Sequence, residues 1–158
     1  GSSHLGMELF KSLAGVDIVH IAYKGLPASV TALISGEVQL TISDVGVLMP
    51  RSKTGKLRAL AVTSAEPSAL APGLPSVAGS GVAGYESVGI TGMFAPARTP
   101  AAIINRLNQE VVRFLRTSEA KEKFLAAGTD VVGSSPEESS AYIKADVARK
   151  SKPFAVLL

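Results

Sequence analysis

Cysteine and tryptophan are both absent from the 158 residues, and only three tyrosines and five phenylalanines occur. Without a thiol there is no disulfide, no thiolate nucleophile and no Cys-ligated zinc or iron–sulfur centre. A Cys-free chain suits the cytosol and the periplasm alike. With aromatics at 5%, a surface for stacking bases is hard to assemble. Charge is also sparse: 18% of residues, with a net charge of +3. That is too little to imply a nucleic-acid partner. No apolar run reads as a bilayer helix, because the longest low-charge stretch, Ser80 to Ala97, contains Glu86 and several glycines. No secretory leader is visible, and a helical pattern begins at once. A truncated parent protein is therefore expected.

Catalytic signatures are missing in the same way. There is no Gly-x-Ser-x-Gly elbow and no phosphate-binding Gly-x4-Gly-Lys-Ser/Thr loop. The two histidines, His4 and His20, lack a local metal-ligand spacing. Carboxylates sit beside lysines, as in Glu119-Ala120-Lys121-Glu122-Lys123. We expect neither an enzyme, nor a metal, nor a cofactor.

What is present is a chain with 46% apolar residues, enough to bury a core. Short apolar runs alternate with helical stretches that stop at glycine. Leu5, Leu9, Phe10 and Leu13 share a helical face ending at Gly15, with Ser2 or Ser3 as its N-cap. Asp17–Tyr23 reads as a strand, Pro27–Ser35 as a helix closed by Gly36, and 38–42 as a second strand. Val45–Thr54 is expected as a helix, and Leu57–Thr63 as a third strand. The βαβ rhythm predicts an α/β lobe with a parallel-rich sheet flanked by helices. A Pro- and Gly-rich loop follows from Ser64 to Tyr85, with one helical turn near Ser76–Ala78. Ser87–Phe94 then looks extended. Thr99-Pro100 opens a helix with Ile104, Leu107, Val111, Phe114 and Leu115 on one stripe. A helix from Ser118 to Ala127 stops at Gly128, Val131-Val132 is a short strand, and Ser135-Pro136-Glu137-Glu138 is a capping box opening the last helix.

Three places are candidate ligand contacts, the first of them an anion site. Ser2, Ser3 and His4 open the first helix, where free N–H groups and the positive dipole end favour a carboxylate; the plainer alternative is a serine cap. Tyr23-Lys24-Gly25-Leu26 sits between a strand and a helix, the edge where open α/β sheets bind ligands; the alternative is a turn that needs Gly25. Ser43-Asp44 ends the next strand, with an N-cap role for Asp44 as its alternative. His20, inside a β-branched run, reads as a satisfied core residue. Arg51, Lys53, Lys56 and Arg58 read as a solvated basic face.

Ser2-Ser3-His4-Leu5 and Glu8-Leu9-Phe10-Lys11, followed by Val19-His20-Ile21-Ala22-Tyr23-Lys24-Gly25, resemble the Bug or TctC family of extracytoplasmic solute receptors. The likeness continues through Gly55-Lys56-Leu57-Arg58-Ala59-Leu60-Ala61-Val62-Thr63-Ser64, Phe94-Ala95-Pro96-Ala97-Arg98-Thr99-Pro100 and Gly128-Thr129 to Glu138. It implies a type II periplasmic-binding fold of two α/β lobes, of which this chain resembles the C-terminal half. Residues 1–88 would be the second ligand-binding lobe in part. Residues 89–158 would be a crossing strand and helices that pack on the first lobe and back on the second. The implied function is periplasmic capture of a small carboxylate and its delivery to membrane transporter subunits. Ser2, Ser3, His4, Gly25, Leu26, Ser43 and Asp44 would form one wall of the cleft. Ile42-Ser43-Asp44 stands where many relatives have Phe-Asp-Asn, and the ending Lys152–Leu158 departs from the family pattern. A lone lobe is also expected to self-associate through uncovered apolar faces. The rival class is the ligand-sensing effector module of a regulator, which would need a DNA-binding helix-turn-helix that this chain does not contain.

Overall fold

The computed structural model describes residues 2–151, so Gly1 and the unusual ending at 152–158 lie outside the described residues. The chain divides into two compact units, Gly1–Gly89 and Ile90–Leu158.

The first unit carries α1 (Ser2–Ala14), α2 (Leu26–Ser35), α3 (Val45–Lys53) and a 3-10 turn at Ala78–Ser80. The glycines mark helix ends as expected: Gly15 follows α1, and Gly36 caps α2 by donating to the carbonyls of Leu33 and Ala32. α3 contains Pro50, whose missing N–H weakens a helix already short. The Arg51 guanidinium turns back to the Val47 carbonyl within it. The core gathers Leu9, Val30, Ala32, Val62, Ala71 and Tyr85. Tyr85 is its largest fully buried side chain. Its ring meets Phe10 edge-on at 6.0 Å, and its hydroxyl donates to the Gly6 carbonyl at 3.2 Å. Gly6 also makes room for Ser87, since a Cβ there would stand 2.5 Å from Ser87 Oγ and 3.1 Å from its Cβ.

The expected strands differ from what forms. Among the described residues the sheet pairing is one parallel bridge, Val62 to Ser76. It is built from Val62 N–H to Pro75 O at 2.9 Å and Val77 N–H to Val62 O at 3.0 Å. Ser87 N–H adds a bond to Thr63 O at 2.8 Å. Segments 17–23, 38–42, 87–94 and 131–132 carry no regular structure. The β-branched run at 18–21 signals a strand covered on both faces, yet Val19 is 79% and Ile21 50% exposed. Such a run needs neighbours to bury its side chains and pair its backbone, and this segment has not found them here.

The second unit packs α4 (Ala101–Leu115) against α5 (Ser118–Ala126) and α6 (Pro136–Ser151). Thr117 caps α5 by accepting the Ala120 N–H at 3.2 Å, and Ala120 is buried. Asn108 donates to Ser134 O at 2.9 Å, fixing the approach to α6. The capping box forms in full: the Glu138 carboxylate accepts the Ser135 N–H at 2.8 Å, and Ser135 Oγ accepts the Glu138 N–H at 3.1 Å. These bonds from Ser135, backbone first, hold the Glu138 carboxyl below its ordinary value of 4.5. A depressed folded value means that the stabilisation is present above the unfolded pKa and is lost as pH falls through the folded one. Melting followed by circular dichroism should show the native chain losing more stability than Glu138→Gln between about pH 5 and 3, because the amide keeps the cap and cannot titrate. Parallel curves would remove Glu138 from the acid response.

Candidate functional site

The three sequence-predicted sets each stand at a helix N-terminus in the first unit. Ser2 is the first helical residue of α1 rather than a cap before it, and Ser2 and Ser3 are both exposed. Neither hydroxyl makes a hydrogen bond among the described residues, and the first turn carries no acidic residue. The free N–H groups and the dipole of that turn are thus not neutralised from within α1. His4, exposed on the same turn, places Nε2 3.7 Å from Glu8 Oε1, which also accepts from Lys11 at 3.2 Å. The His4 ring lies flat on His20, with centroids 4.0 Å apart and planes 7° from parallel.

Gly25 occupies the N-cap position of α2 with φ 90° and ψ 170°. An added Cβ would meet nothing closer than 3.8 Å. The positive φ, not crowding, is therefore what calls for glycine. The Gly25 N–H donates to Tyr23 O at 2.9 Å, which tightens the turn at Lys24. Half-buried Leu26 then begins the helix, followed by Pro27, which has no N–H to satisfy. Tyr23 donates to Glu37 Oε1 at 2.7 Å, and this bond to a carboxylate raises the phenol above its ordinary pKa.

Asp44 sits at the N-cap of α3 with extended backbone, and its carbonyl accepts from Val47 at 3.1 Å and Leu48 at 3.2 Å. Its side chain makes no capping bond. Position and cap chemistry are thus separated: the carboxylate is left to accept from something else. An ionised Asp44 repels a second carboxylate, so it suits a ligand hydroxyl or ammonium, whereas the Ser43 hydroxyl can donate to an anion.

Among the described residues, no side-chain hydrogen bond links the three sets to one another. The His4–His20 stack is a direct contact from α1 to the segment that leads to Gly25. His20 is therefore not the buried core residue that its β-branched setting suggested; it is exposed and covers His4. In a segment without sheet pairing the ring stays exposed, and the His4 imidazole supplies a contact for one of its faces. Nothing in the local sequence signals this pairing across 16 positions. The basic run is also divided. Arg51 serves its own helix, while Lys56 and Arg58 line an open groove of about 450 Å³ with Leu33, Val38, Gln39 and Leu60. That groove lies beside Gly36 and Lys56, past the C-terminal ends of α2 and α3, and holds none of the candidate residues. No group of three or more His, Asp or Glu side chains is placed to bind a metal among the described residues.

Solved structures share this architecture. R. palustris Rpa4515 with adipate is 34% identical with a TM-score of 0.80, over 97% of this chain and 52% of that one. The periplasmic binding protein BugD is 29% identical with a TM-score of 0.79, over the same shares. The fold class is therefore the α/β periplasmic-binding fold, although a single bridge is all the pairing that this chain forms among the described residues. In sequence, the UPF0065 protein in the tcbD–tcbE intergenic region of Pseudomonas sp. (strain P51) is 30% identical over 152 residues. That match covers 96% of this chain and 45% of the relative. The chain thus spans about half the length of these proteins. The model of the tripartite tricarboxylate transporter family receptor, TctC, matches residues 1–155, and with that match over nearly its whole length the chain belongs to the TctC family.

Proposed function

We propose that this chain forms one wall of the ligand cleft of a periplasmic solute receptor, which captures a small carboxylate and hands it to membrane transporter subunits. The observation that carries this reading is the likeness to Rpa4515 with adipate at 34% identity and a TM-score of 0.80. The local chemistry agrees with it. Three helix N-termini present backbone N–H groups, joined at α1 by the hydroxyls of Ser2 and Ser3 and just before α3 by that of Ser43, the donors that a carboxylate needs. Function then consists of binding and cleft closure, with no bond made or broken. Ser2, Ser3, His4 and the Gly25-Leu26 turn would face the anion, and Ser43 and Asp44 would read the remainder of the ligand.

One wall leaves much of a ligand in water. The 158-residue chain should therefore bind adipate with a dissociation constant of about 1 mM or weaker. It should not bind adipamide, which has the same length and no charge. NMR titration of the chain with both compounds checks this. Submicromolar binding of adipate, or equal shifts with the diamide, would contradict the proposal.

A further inference from the structure

The geometry points to His20 as a positioning residue for the carboxylate site, acting through its ring stack on His4. This rests on the proposed function, and it assigns to the site a residue outside the three helix starts. Segment 16–25 has no regular secondary structure, and among its apolar residues Val19 and Ile21 are 79% and 50% exposed while Ile18 is half-buried, so burial holds it only in part. Two polar or aromatic side-chain contacts add to that hold. Tyr23 is tied to Glu37 at 2.7 Å, and His20 lies on His4 at 4.0 Å.

Tyr23 ties the segment to the residues that follow α2, whereas His20 ties it to the first turn of α1. The stack is therefore a direct side-chain contact between the Ser2-Ser3 turn and the segment that leads into the Gly25 turn, and it helps to hold the two in place. A carboxylate shared between donors of both turns binds well only if their separation is held before it arrives, since ordering them on binding costs affinity. His4 has a second neighbour in Glu8, so its ring stays oriented when His20 is removed, while segment 16–25 loses its hold on α1. The stacking needs a flat ring and no particular nitrogen, which makes phenylalanine a fair replacement and alanine not.

The test uses the 158-residue chain with adipate as the probe, titrated by NMR at one pH. Aromatic pairs contribute about 0.5–1.5 kcal/mol, so His20→Ala should weaken adipate binding about 2- to 12-fold, and His20→Phe should restore most of that loss. The His4 ring-proton resonances report the stack without ligand: they should move downfield in His20→Ala and stay shielded in His20→Phe. Unshifted His4 resonances in His20→Ala would show that the stack is absent in solution and overturn the inference, whatever adipate does. A lost stack with unchanged adipate affinity would overturn the positioning role. Failure of adipate to bind the native chain, with the His4 resonances behaving as expected, would count against the carboxylate reading and with it the role of His20, while leaving the stack itself established.

Discussion

Replacing Tyr85 by alanine should lower the unfolding free energy of the chain by about 3–5 kcal/mol, a large part of the 5–15 kcal/mol typical of a domain. Tyr85 is 1% exposed and is the largest side chain to be fully buried. Its ring meets Phe10 edge-on and its hydroxyl reaches Gly6 of α1, where an added Cβ would already crowd Ser87. That packing leaves little room for collapse around a cavity. Tyr85→Phe keeps the ring and loses the bond to Gly6 O, which should cost about 0.5–1.5 kcal/mol. Burial also pushes the Tyr85 phenol up to about 12, against the opposing hydrogen bond with Ser87. For an acid whose folded pKa is raised, the stabilisation is complete below the unfolded value of 10.0 and declines as pH rises from there toward about 12. Urea unfolding at neutral pH, repeated at alkaline pH with Tyr85→Phe as the non-titrating control, reads both effects. A loss under about 1 kcal/mol for Tyr85→Ala would mean that the α1 contact is not the core of the first unit.

The second large effect concerns association. At about 100° per residue, the apolar stripe of α4 spans one arc of about 120°, and that arc is covered unevenly. Ile104, Val111 and Leu115 are half-buried, while Ile103, Leu107 and Phe114, on the other side of the arc, are 51%, 46% and 53% exposed. Glu110 falls between Leu107 and Phe114 and is neutralised by Arg106 at 2.9 Å and by Arg113. The exposed face thus has the 103, 107, 110, 114 spacing of a helix-pairing seam, with its charge internally compensated. We expect the 158-residue chain to self-associate through it. Each buried apolar side chain contributes about 1.5–3 kcal/mol, so Phe114→Glu should raise the dimer dissociation constant by about 10- to 100-fold. Sedimentation equilibrium decides. A native chain that stays at 16.2 kDa up to about 1 mM would show that this stripe needs no cover.

The helices were legible because their signals are local. Gly15, Gly36 and Gly128 stop them, Pro27 sits just inside α2, and Ser135 with Glu138 forms the capping box that the spacing implies. The strands were not, because a β-branched run such as Ile18 to Ile21 states what a segment can do when flanked, and pairing depends on remote partners. The burial of Tyr85 was hidden for the same reason, since its contact with Gly6 spans 79 positions. In the site, the serines, the Gly25 turn and Asp44 were visible as helix beginnings. What spacing did not reveal is that Asp44 takes the N-cap position without using its carboxylate, or that His20 lies on His4. Both depend on side-chain directions that no linear pattern encodes.

The most direct measurement maps where the ligand binds. In a titration of the isotope-labelled chain with adipate, we expect saturable backbone amide shifts concentrated at Ser2, Ser3, His4, Gly25, Leu26, Ser43 and Asp44. Shifts confined to Gln39, Lys56 and Arg58 at the open groove, with those seven amides unmoved, would contradict it.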